Sequence, residues 1–260
     1  MNILGKSEVT YRQCELWIKS IGTANKLALE VLPILWQAAN NNGLVPEVFI
    51  AQAMVETGYF NFGGVLNASF HNTCGLKTTK GGGNYEANAH MRFATWEEGI
   101  QAHADHLALY AGAPKFPKYA PNCASSPNAM YKQNGTTNDP RHFVYLYGKS
   151  KTVEGLAGTW ATNKKYAYTI IKLVEQIRKT ETPKLSLTTY KNGTYNAKAR
   201  VTVDSLNVRQ GRPGSGRYNK ILGTLKEGEI VTVRYCLDNW FGIMFNGKQG
   251  FICGKYVDLL

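Results

Sequence analysis

The chain has no uninterrupted apolar run long enough to cross a bilayer. The best candidate, Leu27 to Leu35, is broken by Glu30 and Pro33. Its first residues, Met1 to Glu8, lack a charged segment followed by an apolar core, so no secretory signal is read there. The expectation is therefore synthesis in the cytoplasm, no membrane insertion, and help needed to leave. Cysteine is scarce and scattered. Cys14, Cys74, Cys123, Cys236 and Cys253 are odd in number and form no C-x-x-C pair, which argues against a disulfide framework and a zinc site. Buried, reduced thiols are the default. Acidic residues are also in deficit, 18 against 30 basic ones, for a net charge of +12. Residues 1–180 and 181–260 each carry +6, so charge density is about twofold higher in the shorter C-terminal part, a footprint for a polyanion. Nucleic acid, acidic lipid and an anionic cell wall all satisfy that charge. No solenoid-type repeat is present.

What is there is a globular composition, 43% apolar and 18% charged over 260 residues, enough for one or two domains. Residues 8–41 read as two helical segments around Gly22, with Pro33 implying a kink or early break. Residues 74–93 read as a small irregular hairpin. Thr95 followed by Glu98 is a capping-box start for a helix that ends near Gly112. Residues 113–142 are rich in turn formers and are expected to form a long loop. A short helix is expected around Val153 to Gly158, and a last one from about Lys164 to Lys179. From Glu181 to about Asn196 the composition is that of a linker. Beyond it the period changes to two: Val201 and Val203, Ile230 to Val233, Phe241 to Phe245, and Phe251 with Ile252 read as short strands. The dipeptide Asn246-Gly247 is a strong hairpin signal. Short strands with turns over about 60 residues point to a small closed barrel.

The stretch Pro46 to Phe60 carries the sharpest chemical signal. Pro46 suits a first helical position, and Phe49, Ile50, Ala53 and Met54 form an apolar stripe. Gly58 can end the helix in a left-handed conformation. Glu56 then lies in the last turn, at the negative end of the helix dipole on an apolar segment. Burial and dipole both raise a carboxyl pKa, as a general acid requires. An ordinary solvated glutamate at a helix end is the bland alternative.

Two resemblances sharpen these expectations. The stretch Ala199-Arg-Val-Thr-Val-Asp-Ser-Leu-Asn-Val-Arg-Gln-Gly211, with Gly223-Thr-Leu-Lys-Glu-Gly-Glu229, Trp240 and Gly250-Phe-Ile-Cys-Gly-Lys-Tyr256, closely resembles bacterial SH3 domains, the wall-targeting modules of lysins and autolysins. The segments Ala51-Gln-Ala-Met-Val-Glu-Thr-Gly-Tyr-Phe60, Asn72-Thr-Cys-Gly-Leu76, Trp96-Glu-Glu-Gly-Ile-Gln-Ala-His103, Asp139-Pro-Arg-His-Phe143 and Gly158-Thr-Trp-Ala-Thr-Asn-Lys-Lys-Tyr-Ala167 resemble the glucosaminidase family of cell-wall hydrolases, in clostridial and clostridial-phage lysin flavour. The implied architecture is multidomain: a mainly-α, lysozyme-like (α+β) catalytic domain over 1–180, a linker over 181–196, and a small all-β SH3-like barrel over 197–260. The implied activity is hydrolysis of the β-1,4 bond between N-acetylglucosamine and N-acetylmuramic acid in the peptidoglycan of Gram-positive bacteria, by an endolysin or autolysin released through a holin-type membrane lesion. The resemblance implies no cofactor, metal or nucleic acid, and the chain is taken as a monomer.

The resemblance aligns Glu56 with the family's catalytic glutamate. Its partner is left open between Glu86, the only carboxylate between Glu56 and Glu97, and the substrate's own N-acetyl group. Tyr166 aligns with a tyrosine near the catalytic glutamate, although Asn163-Lys164 replaces the family's Asp-Pro. Tyr59, Phe60, Asn72 and Trp160 are candidates for lining the sugar groove. Arg209, Tyr218, Trp240 and Tyr256 are candidates for wall contact, chosen as exposed aromatic and basic types.

Rival chemistries stand beside this one. A Cys/His amidase or endopeptidase would use Cys74 as nucleophile with His71, His90 or His103 as base, but Cys74 enters a glycine-rich hairpin rather than a helix N-terminus. A lytic transglycosylase would use Glu56 alone. The pair His103 and His106 has no obvious third metal ligand, and His103 fits a satisfied core histidine better.

Overall fold

The computed structural model describes residues 1–114, 137–181, 189–218 and 220–260. Most of the long loop expected over 113–142, Cys123 within it, and linker residues 182–188 lie outside that range. The chain forms two compact units, 1–9 with 14–180 and 10–13 with 181–260.

The first unit is helical. Its elements are α1 (Tyr11–Ser20, of which residues 14–20 fall in this unit), α2 (Leu27–Asn42), α3 (Pro46–Glu56), α4 (Trp96–Ala111) and α5 (Tyr166–Lys179). Helix α2 runs through Pro33 without ending, so of the expected kink or early break the break does not occur. A proline inside a helix costs about 3 kcal/mol. Burial of Val31, Leu32, Leu35 and Trp36 along the same helix offsets that, at roughly 1.5–3 kcal/mol for each large side chain.

Helix α3 is the short buried helix its sequence implies, and its burial goes beyond the single apolar stripe. It is not a one-sided amphipathic helix: every residue from Pro46 to Met54 is buried, Glu47 and Gln52 included. It packs against α2 on one side and α5 on another. At its N-terminal end, Glu47 accepts from Ser7 Oγ at 2.8 Å and pairs with Arg178 near the end of α5 at 3.1 Å. Tyr166, at the start of α5, meets the opposite end of α3. Two polar clasps thus fix the helix lengthwise, which holds its last residue, Glu56, in place.

Between α3 and α4 the expected hairpin is a lobe without regular strands. Lys77 and His90 form an isolated bridge, and Met91 N–H donates to Leu76 O at 2.8 Å. Helix α4 starts as its sequence implies: Thr95 Oγ1 accepts the Glu98 N–H at 3.2 Å, and Glu98 accepts the Ala94 N–H at 3.0 Å. The helix expected over 153–158 shrinks to one 3-10 turn, Glu154–Leu156.

The second unit is an antiparallel sheet of seven strands: β1 (Gly193–Val201), β2 (Ser205–Arg209), β3 (Ile221–Lys226), β4 (Ile230–Leu237), β5 (Trp240–Phe245), β6 (Lys248–Cys253) and β7 (Val257–Leu259). The order is β3-β2-β6-β5-β4-β1-β7, so β3 and β7 are edges and the hydrogen-bonded sheet is not closed. Its core is built on Val201, Val208, Val233, Phe241 and Ile252. The turn at Asn246-Gly247 joins β5 to β6 with both residues at positive φ, +48° and +73°, as a two-residue hairpin turn requires. Residues 193–196, expected in the linker, lie in β1, where Gly193 and Thr194 face Cys236 and Tyr235 of β4.

Candidate active site

Glu56 is the last residue of α3, and the turn after it is strained. Gly58, Tyr59, Phe60 and Phe62 all take positive φ, between 56° and 61°. For the three non-glycine residues this left-handed conformation costs about 1–2 kcal/mol each. Buried Thr57 holds the turn: its Oγ1 donates to Ala53 O at 2.7 Å and accepts the Phe60 N–H at 2.9 Å. The Tyr59 and Phe62 N–H groups bond back to Met54 O and Thr57 O, both at 2.8 Å. Such strain, held by surrounding bonds, is a mark of functional sites.

Two side chains from distant segments converge on one oxygen of Glu56. Trp160 Nε1–H donates to Oε1 at 2.7 Å, and the Tyr166 hydroxyl also donates to Oε1. Gln52, one helical turn before Glu56, donates to Tyr166 Oη at 3.0 Å. Burial raises the Glu56 pKa, and the Tyr166 and Trp160 hydrogen bonds pull against that rise without cancelling it. Tyr166 is itself held well above its ordinary value by burial and by the Glu56 charge, so it stays a hydroxyl donor. Trp160 is caged by the rings of His106 and Tyr110, each at 5.1 Å, and of His103 at 5.8 Å.

Glu56 opens into a cleft of about 310 Å³. One wall is the strained turn, including Phe62, Gly63, Gly64 and Leu66, and the other is the lobe, through Asn72, Asn84 and His90. Glu56 is the only carboxylate among these lining residues. Glu86 is elsewhere: it is exposed, and its carboxylate turns back to accept the Gly83 N–H at 3.1 Å. It shapes the turn that carries Asn84.

The expected groove residues divide. Asn72 borders the cleft, but its amide is committed to the lobe: it donates to Leu76 O and Met91 O, at 2.9 and 3.0 Å, and accepts the Leu76 N–H at 3.0 Å. Phe60 is buried against Phe62 and Trp96 rather than facing the cleft. Tyr59 does not line it, and its carbonyl anchors the Asn25 N–H at 3.0 Å. Trp160 reaches Glu56 itself. Sequence reasoning missed Thr57, Gln52, Asn84 and Phe62. Gln52 alone carried a signal, as a lone amide on an apolar helix four residues before Glu56 and so on the same face.

Residues 32–179, which contain every member of this cluster, match the family described as glucosaminidase (mannosyl-glycoprotein endo-beta-N-acetylglucosaminidase). The chain belongs to the glucosaminidase family. It is also 28% identical over 137 residues to an "Uncharacterized protein" of Borreliella burgdorferi, covering 52% of this chain and 55% of that one. The chain thus spans about half the length of that curated relative.

Within the glucosaminidase domain the thiol rival finds no footing. Burial holds Cys74 well above its ordinary range, and the charges of Glu56 and Asp139 push it further, so the nucleophilic thiolate is suppressed. His103 has both ring nitrogens engaged, by Thr73 Oγ1 at 2.9 Å and Gln52 Oε1 at 3.3 Å, and burial lowers its pKa to about 3. His71 is tied to Phe93 O at 2.8 Å and His90 to Glu86 O at 2.9 Å. Buried Asp139 accepts from His106 and His142 at 2.7 and 2.9 Å. Burial alone would raise its pKa, but the two histidines bring it to about 2. No three such side chains cluster as a metal site among the described residues.

In the second unit, three of the four expected contact residues form one ladder. The Arg209 guanidinium lies 4.5 Å from the Tyr218 ring centroid, and Tyr218 meets Trp240 edge-on at 5.6 Å. All three are half-buried. Tyr256 is exposed at 40%, on the 3-10 turn before β7.

Proposed function

We propose that this protein is a peptidoglycan hydrolase that cleaves the β-1,4 bond after N-acetylglucosamine, with Glu56 as general acid and the substrate's acetamido group as nucleophile. One observation carries the reading: among the described residues that line the cleft Glu56 is the sole carboxylate, and Trp160 and Tyr166 both donate to one of its oxygens. The proton of the neutral acid then sits on Oε2 and passes to the glycosidic oxygen as the C1–O bond breaks. The acetamido oxygen attacks C1 to give an oxazolinium ion. Water then attacks C1, the five-membered ring opens, and the water's proton returns to Glu56. No second carboxylate is consumed, an accepted exception to the two-carboxylate scheme. Family membership supports glycoside hydrolysis as the reaction class.

The second unit is, in this reading, a wall-binding module of bacterial SH3 type, with the Arg209, Tyr218 and Trp240 ladder as its contact surface. Tyr256, exposed on the turn before β7, is a further contact residue in this reading. Net charge +12 suits an anionic Gram-positive wall. An endolysin role, with release from the cytoplasm by a holin-type lesion, fits the same picture. Peptidoglycan with acetamido groups converted to free amines tests the mechanism: it should resist cleavage while still binding. Efficient hydrolysis of that glycan would exclude substrate assistance.

A further inference from the structure

The hydrogen bonds behind Tyr166 continue inward, and each link dictates the polarity of the next. Thr73, His103 and Gln52 are fully buried, so none of their groups turns to water. His103 is neutral, since burial, with His106 adding to it, puts its pKa at about 3, and a neutral imidazole has one N–H. Gln52 presents Oε1 to His103 Nε2 at 3.3 Å and its amide donor to Tyr166 Oη at 3.0 Å. The N–H of His103 is therefore on Nε2, and Nδ1 accepts from Thr73 Oγ1 at 2.9 Å. Tyr166 Oη already accepts from Gln52, so its own hydrogen points at Glu56 Oε1.

The reverse polarity has a defined consequence. With the Gln52 amide turned over, Tyr166 would donate to Gln52 and face Glu56 with a bare lone pair. The Glu56 proton would then be drawn to Oε1. We propose that Gln52 and His103 are positioning residues that act through Tyr166, their one-way hydrogen-bond chain holding the transferable proton of Glu56 on Oε2. This rests on Glu56 being the general acid.

Three titratable groups near the site keep one protonation state. Tyr166 and Cys74 are held neutral by burial, while Asp139 stays ionised. His90 borders the cleft across from Glu56. A shift confined to chain variants is therefore assigned to Glu56.

The test compares Gln52→Met, Tyr166→Phe and their double variant on purified peptidoglycan, with Glu56→Gln as the reference for loss of the acid. Gln52→Met keeps length and removes the donor to Tyr166. Its kcat should fall about 3- to 10-fold with KM unchanged, the size of one lost hydrogen bond between neutral groups. Weaker donation to Glu56 raises its pKa, so the alkaline limb of kcat/KM should move to higher pH in both single variants. The double variant should be no slower than Tyr166→Phe within about twofold, because both substitutions break one chain. Multiplying losses, or a Gln52→Met enzyme with wild-type kcat and limb, would overturn the chain while leaving Glu56 as acid. If Gln52→Met does not fold, Thr73→Val replaces it, with a smaller kcat loss and the same limb shift expected. An unchanged Thr73→Val enzyme would equally overturn the proposal. Activity retained by Glu56→Gln would instead overturn the reading beneath it.

Discussion

A single carboxyl group, Glu56, has to carry a proton in the proposed mechanism, and burial raises its pKa in that direction. A raised carboxyl pKa means the folded state binds a proton that the unfolded state has released. Stability is therefore fully present below the ordinary value of 4.5 and is lost as pH rises through the folded pKa. Glu56→Gln removes that penalty. The variant should melt at a higher temperature than wild type at pH 7, with the gap closing below about pH 4.5, while kcat falls about 10²–10⁴-fold. Trp160→Phe keeps most ring packing and deletes one donor to Oε1, so the alkaline limb should move up and kcat should drop about tenfold. Glu86→Gln retains an acceptor for Gly83 N–H and should keep most activity. A loss above about 10²-fold would restore a two-carboxylate scheme. Cys74→Ser should hydrolyse peptidoglycan at close to the wild-type rate, since its buried thiol does no chemistry.

Helix α4 ties the lobe to α3, through His103 against Gln52 and through Gly99, which lies directly against the His71 backbone. A Cβ there would lie 1.7 Å from His71 O, so Gly99→Ala should cost about 3 kcal/mol in denaturant unfolding. Thr95→Ala, which removes only the cap, should cost about 1 kcal/mol. These elements also mark how far sequence reached. The ends of α3 were legible because Pro46 and Gly58 are local signals, and Gly58 does take φ of +56°. The cap of α4 and the Asn246-Gly247 turn were legible for the same reason. Tyr166 was legible only through family resemblance, since nothing in α5 itself marks its hydroxyl. Gln52, His103 and Thr73 were not legible as a set: they lie 51 and 30 residues apart, and periodicity describes one element at a time. Asn72 was legible as a cleft residue, but the local backbone bonds that claim its amide and the Glu86 carboxylate could not be read from residue type. The start of β1 was hidden because Gly193 to Asn196 is linker-like in composition, and its place comes from the ladder with β4.

For the whole molecule, the separation into two compact units suggests two separable tasks. Removing residues 181–260 should weaken binding to intact walls and lysis far more than hydrolysis of soluble glycan fragments. Equal losses on both substrates would count against a targeting role. Trp240→Ala should reproduce the binding loss in the full chain, and wall binding should weaken with added salt if basic charge contributes. The most direct measurement is mass analysis of purified peptidoglycan digested by wild type and by Glu56→Gln. Fragments ending in reducing N-acetylglucosamine from the wild type, and no new ends from Glu56→Gln, are the expected result. Reducing N-acetylmuramic acid, anhydromuramic ends, or undiminished cleavage by Glu56→Gln would contradict it.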